Sequence, residues 1–173
     1  MRANLFFNFQ ENGDNTLTTL TYEFSGFKLT VTALNEDGLE ERISRHAKGL
    51  GVFGNPDKTL VSVDISGSES LLFELTDTNG DSVDFSGSLN IVFKNWKRRV
   101  GDEAGISGSA VEDGISTGRN YTTAFSGNQF QVDGREAGDG FRVAQVTFVP
   151  EPGTLAILSL GLLGLGVRRF KKS

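Results

Sequence analysis

Few side chains in this 173-residue sequence have the types and spacing that catalysis requires. There is no cysteine, and His46 is the single histidine, set in the cation-rich run from Arg42 to Lys48. A solvated surface histidine is the simpler interpretation of His46, because no nucleophile stands at a fixed spacing from it. We therefore expect no catalytic residues and a protein that is not an enzyme. A hydrolase with two facing carboxylates stays an open alternative, because sequence does not set their separation.

One acidic turn is a candidate for binding a cation. Asp77, Asn79 and Asp81, with Asp84 nearby, carry the carboxylate and amide oxygens that Ca²⁺ prefers. The EF-hand pattern fails, since that loop needs glycine and glutamate where this chain has Ser82 and Ser88. Because Asp and Asn also collect in turns for backbone reasons, a plain turn and a calcium site both stay open. We expect no other cofactor.

Two aromatic residues, Trp96 and Tyr121, are candidate platforms for sugar rings. A lone Trp at the end of a strand also packs well at a core edge, so a carbohydrate-binding module is an alternative. Residues 1–150 carry 13 Lys and Arg against 21 Asp and Glu, a net charge of −8. An acidic body is repelled by phosphate backbones, so we expect no nucleic-acid partner despite the basic run at 97–99.

Short strands must position these residues. Apolar and polar side chains alternate in about ten segments that are separated by Gly and Asn turn signals. Hairpins are predicted around Ser25-Gly26 and Asn79-Gly80, and a further strand is expected from Leu60. Residues 39–48 are compatible with a helix or a polar strand. Residues 100–118 are expected to form a long surface excursion, with a short strand near Ile106 or Val111.

The predicted fold class is all-β. Each alternating strand buries one face, so the 14 phenylalanines need a second layer of strands to cover them. We expect an antiparallel β-sandwich, jelly-roll-like, over residues 1–148, followed by a sorting tail with a short hydrophobic transmembrane helix at 149–173. The segment from Asn4 to Gln10 predicts a first strand and lacks the apolar stretch of a secretory signal peptide.

The tail has three parts in a fixed order. Pro150, Glu151 and Pro152 come first, and an apolar run and a basic end follow. The apolar run has the hydrophobic positions Leu155, Ile157, Leu158, Leu160, Leu162, Leu163, Leu165 and Val167, and the basic end has Arg168, Arg169, Lys171 and Lys172. As a helix from Gly153 to Phe170 the run spans about 27 Å, marginal for a hydrocarbon core of about 30 Å. It is apolar on all sides, which predicts membrane contact, and the basic end predicts a cytoplasmic C-terminus.

This tail resembles the PEP-CTERM sorting signal. Pro150-Glu151-Pro152 matches the signature tripeptide, the Leu/Gly-rich run matches the membrane segment, and Arg168-Arg169 match the basic stop. The resemblance implies export in a Gram-negative bacterium, recognition by exosortase, a membrane cysteine peptidase, and processing near the tripeptide. It also implies transient anchoring in the inner membrane, delivery to the cell surface or extracellular matrix, and association with exopolysaccharide.

The body also looks similar to cargo domains of that family, in Gly49 to Val52, Glu69 to Phe73, and Phe141 to Phe148. This second resemblance carries no activity. Family members normally begin with a signal peptide, so we expect the recorded start to lie downstream of the true one or the gene to be truncated. The leading hypothesis is a non-enzymatic surface or matrix protein, and the alternative is a carbohydrate- or calcium-binding module on the same anchor.

Overall fold

The computed structural model describes residues 4–13, 15–53, 69–96, 102–135 and 140–151, and all regular structure in these ranges is β-strand. The strands are β1 (Leu5–Asn8), β2 (Thr19–Phe24), β3 (Phe27–Leu34), β4 (Glu40–His46), β5 (Gly49–Phe53), β6 (Ser70–Asp77), β7 (Phe85–Lys94), β8 (Ala104–Gly108), β9 (Val111–Ser116), β10 (Asn120–Gly127), β11 (Gln129–Gly134) and β12 (Arg142–Pro150). Their pairings are antiparallel, so the prediction of an antiparallel all-β fold is confirmed.

The described strands form one hydrogen-bonded sheet rather than two separate ones. Its order is β10-β7-β12-β5-β4-β3-β6-β11-β8-β9, with β1 beside β12 and β2 beside β3. Strand β4 joins the two halves, because Glu40 and Glu41 pair with β3 while Arg42 to His46 pair with β5. The expected sandwich layers are therefore continuous through β4. Jelly-roll connectivity stays a prediction.

Phenylalanine rings fill the space between the two halves. Phe130 on β11 stacks on Phe73 of β6 at 4.7 Å between ring centroids, and it meets Phe148 of β12 edge-on at 6.1 Å. Phe125 of β10 contacts both Phe130 and Phe148. These rings are almost fully buried, so each half of the sheet supplies the apolar cover that the other half needs.

The hairpin predicted at Ser25-Gly26 is confirmed. Both residues adopt positive φ, and they join β2 to the antiparallel strand β3. The Asn79-Gly80 turn also forms, with the Gly80 N–H donating to the Asp77 carbonyl. The prediction that this turn joins two paired strands is wrong, because the pairing across it covers only a few residues. After a bridge between Thr76 and Ser82, strand β7 leaves β6 and pairs with β10 and β12 in the other half.

The structure decides two further regions. Residues 40–46 are strand, which decides between the two readings of the 39–48 region. In the 100–118 region, β8 contains Ile106 and β9 begins at Val111, so the strand expected there is confirmed. The long surface excursion is wrong, because these two strands pair in a hairpin. The strand predicted from Leu60 and the tail helix lie outside the described residues.

Candidate functional site

The sorting tail begins inside the sheet. Strand β12 runs through Val149 to Pro150, which stands opposite Gly87 of β7. Proline has no N–H to donate, so Pro150 contributes no donor to the ladder. A Cβ atom on Gly87 would overlap the Val149 carbonyl oxygen, and Gly87 has a φ of +158°. The start of the tail is therefore packed closely against β7.

Glu151 lies directly after this strand and is exposed. Its Oε1 accepts a hydrogen bond from the Ser86 hydroxyl at 3.0 Å, and its backbone N–H donates to the Ser86 carbonyl at 3.4 Å. The carboxylate is thus held at the surface by one neutral side-chain donor. This arrangement presents a single negative charge at the point where the chain leaves the body.

The remaining tail positions lie outside the described residues: Pro152, the apolar residues from Leu155 to Val167, and the basic end from Arg168 to Lys172. Within the ranges that are described, no helix is long and apolar enough to cross a membrane. The predicted membrane segment and domain boundary stay predictions.

The acidic turn is organised by backbone contacts. The Asp77 Oδ1 atom accepts the N–H groups of Asn79 at 2.8 Å and Asp81 at 3.0 Å. The Asp81 N–H, followed by that of Asn79, lowers the pKa of Asp77 below its ordinary value. No group of three or more acidic or histidine side chains among the described residues is placed to hold a metal. The calcium prediction for Asp77, Asn79 and Asp81 stays a prediction.

A basic pocket opens where three segments meet: the β4–β5 turn, the end of β7 and the start of β10. Its volume is about 590 Å³, within the range of small-ligand sites. The described lining residues are Lys48, Val92, Phe93, Lys94, Asn95, Trp96, Arg119 and Asn120, and none of these is acidic. We call this the basic pocket. Three cations therefore lie together in this pocket, although residues 1–150 as a whole have a net charge of −8.

Trp96 is fixed in the wall of the basic pocket. Its ring lies 5.5 Å from the Phe93 ring and 5.4 Å from the Phe141 ring, so one side packs on the core edge while the residue stays partly exposed. Asn95 before it has a φ of +60°, an uncommon conformation for a residue with a side chain. Of the two predicted sugar platforms, only Trp96 lines this pocket. The Tyr121 hydroxyl instead lies over Gly114.

Buried Arg142 supports the turn that carries Lys48. Its Nη1 atom donates to the carbonyl oxygens of Gly49 at 2.9 Å and Ser44 at 3.3 Å, and its Nη2 atom donates to the Ser44 hydroxyl at 3.0 Å. His46 lies in the same turn, where its Nδ1 atom accepts the Lys48 N–H at 3.2 Å. The histidine side chain therefore accepts a backbone hydrogen bond that stabilises the β4–β5 turn.

Residues 114–118 carry a Gly-x-Ser-x-Gly pattern that is absent from the predicted sites. In hydrolases the central serine sits on a strand-to-helix turn with its hydroxyl exposed. Here Ser116 is the last residue of β9, is 4% exposed, and donates to the Gly118 carbonyl at 3.0 Å. The hydroxyl closes the connection to β10 and does not meet the structural context of a nucleophile.

Comparison with known families finds a match in the C-terminal tail. Residues 148–171 match the PEP-CTERM protein-sorting motif. The chain is thus an all-β body that carries a sorting signal, and the resemblance of the tail is confirmed. The motif indicates exosortase-dependent sorting of an exported protein, with anchoring in a membrane during sorting. No curated protein and no solved structure matches the chain significantly.

Proposed function

We propose that this chain is a non-enzymatic surface or matrix protein that reaches the cell surface through its PEP-CTERM signal and associates with exopolysaccharide. The observation that carries this proposal is the motif match, which begins at Phe148 inside strand β12. In this proposal the apolar run holds the protein in the inner membrane with its basic end in the cytoplasm. Exosortase then processes the chain near the tripeptide.

The placement of Glu151 supports this route. In this proposal the peptidase recognises the Glu151 carboxylate, which is exposed immediately after strand β12. The contacts of His46 and Ser116 within turns support a body without catalytic function.

The single Trp in the wall of the basic pocket favours carbohydrate binding as the second candidate function. Calcium binding at the Asp77 turn is a separate proposal, testable by calcium titration.

Replacing Glu151 with glutamine is expected to slow processing by at least about tenfold. The substitution keeps the side-chain shape and an oxygen that can accept the Ser86 hydroxyl, but it removes the charge. A hydrogen bond to a charged group contributes about 1.5–3 kcal/mol, which corresponds to this loss of rate. The measurement is the ratio of full-length, membrane-bound protein to shortened protein in exosortase-containing cells.

Glu112→Gln is the matched control, because Glu112 is an exposed carboxylate on β9, away from the tail. It should process like the unaltered protein. Ser86→Ala should do the same, since it removes the local contact and leaves the carboxylate in place. Unchanged processing of the Glu151→Gln variant would remove exosortase recognition of this residue from the proposal.

A further inference from the structure

The basic pocket combines features that select an anionic sugar chain. Lys48, Lys94 and Arg119 supply positive charge from three segments of the fold. Asn95 and Asn120 add amide groups of the kind that hydrogen-bond sugar hydroxyls. Trp96 supplies an aromatic face held by Phe93 and Phe141. Aromatic faces, a few placed polar groups and a concave shape are the ordinary features of a ligand site.

The two lysines of the basic pocket are held by neutral partners. Lys48 Nζ donates to Asn95 Oδ1 at 3.1 Å, and Lys94 Nζ donates to Gln10 Oε1. Neither contact neutralises the positive charge of the ammonium group. By contrast, Arg45 and Arg135 elsewhere on the body lie in ion pairs with carboxylates. Charge at the basic pocket is thus available to an anionic ligand.

We propose that the basic pocket binds a uronate-containing polysaccharide, with Lys48, Lys94 and Arg119 facing its carboxylates and Trp96 stacking on a sugar ring. The inference rests on the proposed association with exopolysaccharide and gives the chemical class of that partner. Nucleic acid fits less well, because the long phosphate backbone would also meet the acidic remainder of the body. The preference for a uronate chain weakens with added salt, since its charges act at an exposed surface.

The test is isothermal titration of the full-length protein in a non-ionic detergent with three probes of equal length: a polyuronate, a neutral β-glucan and single-stranded DNA. We expect the polyuronate to bind at least roughly tenfold more tightly than either other probe. Lys48→Gln and Arg119→Gln should each weaken polyuronate binding by roughly fivefold or more, because charged and aromatic groups in a pocket dominate affinity. Trp96→Ala should weaken it further, with folding checked by circular dichroism.

Lys28→Gln is the matched control, since Lys28 lies on β3 beside Glu23 and outside the pocket. It should leave affinity unchanged. Equal binding of the neutral glucan or the DNA overturns the proposed selectivity, and absence of polyuronate binding overturns the site. Polyuronate binding that is insensitive to Lys48→Gln and Arg119→Gln also rejects the pocket, while association with exopolysaccharide stands. Processing of the Glu151→Gln variant reports on sorting independently of all these results.

Discussion

Replacing Arg142 with alanine is expected to lower the free energy of unfolding by about 3–5 kcal/mol. The side chain is fully buried, and its guanidinium donates to two carbonyl oxygens and a hydroxyl of β4 and β5. Truncation leaves these acceptors without those donors where water is excluded, and it also creates a cavity. Chemical denaturation followed by tryptophan fluorescence and circular dichroism measures the loss.

Arg42→Ala is the control for this experiment. Arg42 lies on the exposed side of β4, with its guanidinium 4.4 Å from the centre of the Phe53 ring and 3.7 Å from Glu41. Exposed contacts of this kind contribute about 1 kcal/mol or less. An Arg142→Ala variant no less stable than Arg42→Ala would show that the buried hydrogen bonds do not hold the β4–β5 turn. Because this turn carries Lys48, the Arg142→Ala variant should also bind polyuronate more weakly at the basic pocket.

Replacing Gly87 with alanine is expected to destabilise the body by about 2–4 kcal/mol and to loosen the start of the sorting tail. The new Cβ would overlap the Val149 carbonyl oxygen, and the φ of +158° is unfavourable for a residue with a side chain. Strand β12 must shift away from β7 to make room. Hydrogen exchange should therefore accelerate at the amides of Phe148 and Val149, alongside the loss of stability.

Gly118→Ala provides the comparison, because a Cβ there meets no atom within 4 Å and its φ is not in the positive region. We expect no loss of stability, or a gain of about 0.4–1 kcal/mol from the reduced freedom of the unfolded chain. If Gly87→Ala were as stable as Gly118→Ala, with unchanged exchange at Val149, the close contact between β7 and the tail would be refuted.

The tail and most strands were predictable from sequence because their signals are local. The tripeptide, apolar run and basic end follow one another directly, and alternating side chains mark β3, β6 and β11 without knowledge of their partners. The pairing of the strands, by contrast, was not predictable from local signals. At Asn79-Gly80 the predicted turn is correct, but β7 joins the opposite half of the sheet, where it pairs with β10 and β12. Such partners are distant in sequence and leave no local signal.

The basic pocket and the burial of Arg142 were not predictable from sequence, because both depend on strand pairing between distant segments. Lys48, Trp96 and Arg119 lie in separate segments that only the strand order brings together. In β12 the alternation predicts that Arg142 points away from the core. A register shift between Val143 and Gln145 breaks the period, so Arg142, Val143 and Ala144 are all buried. A bulge of this kind is set by pairing with β7 and has no clear sequence mark.

Sorting through the tail is tested by the intact mass of the protein recovered from exosortase-containing cells and from matched cells that lack the enzyme. We expect a shortened form that ends near Pro150 to Gly153 only where exosortase is present, and a full-length, membrane-bound form without it. Full-length protein in both strains, or the same shortened form in both, would contradict sorting of this chain through its PEP-CTERM signal.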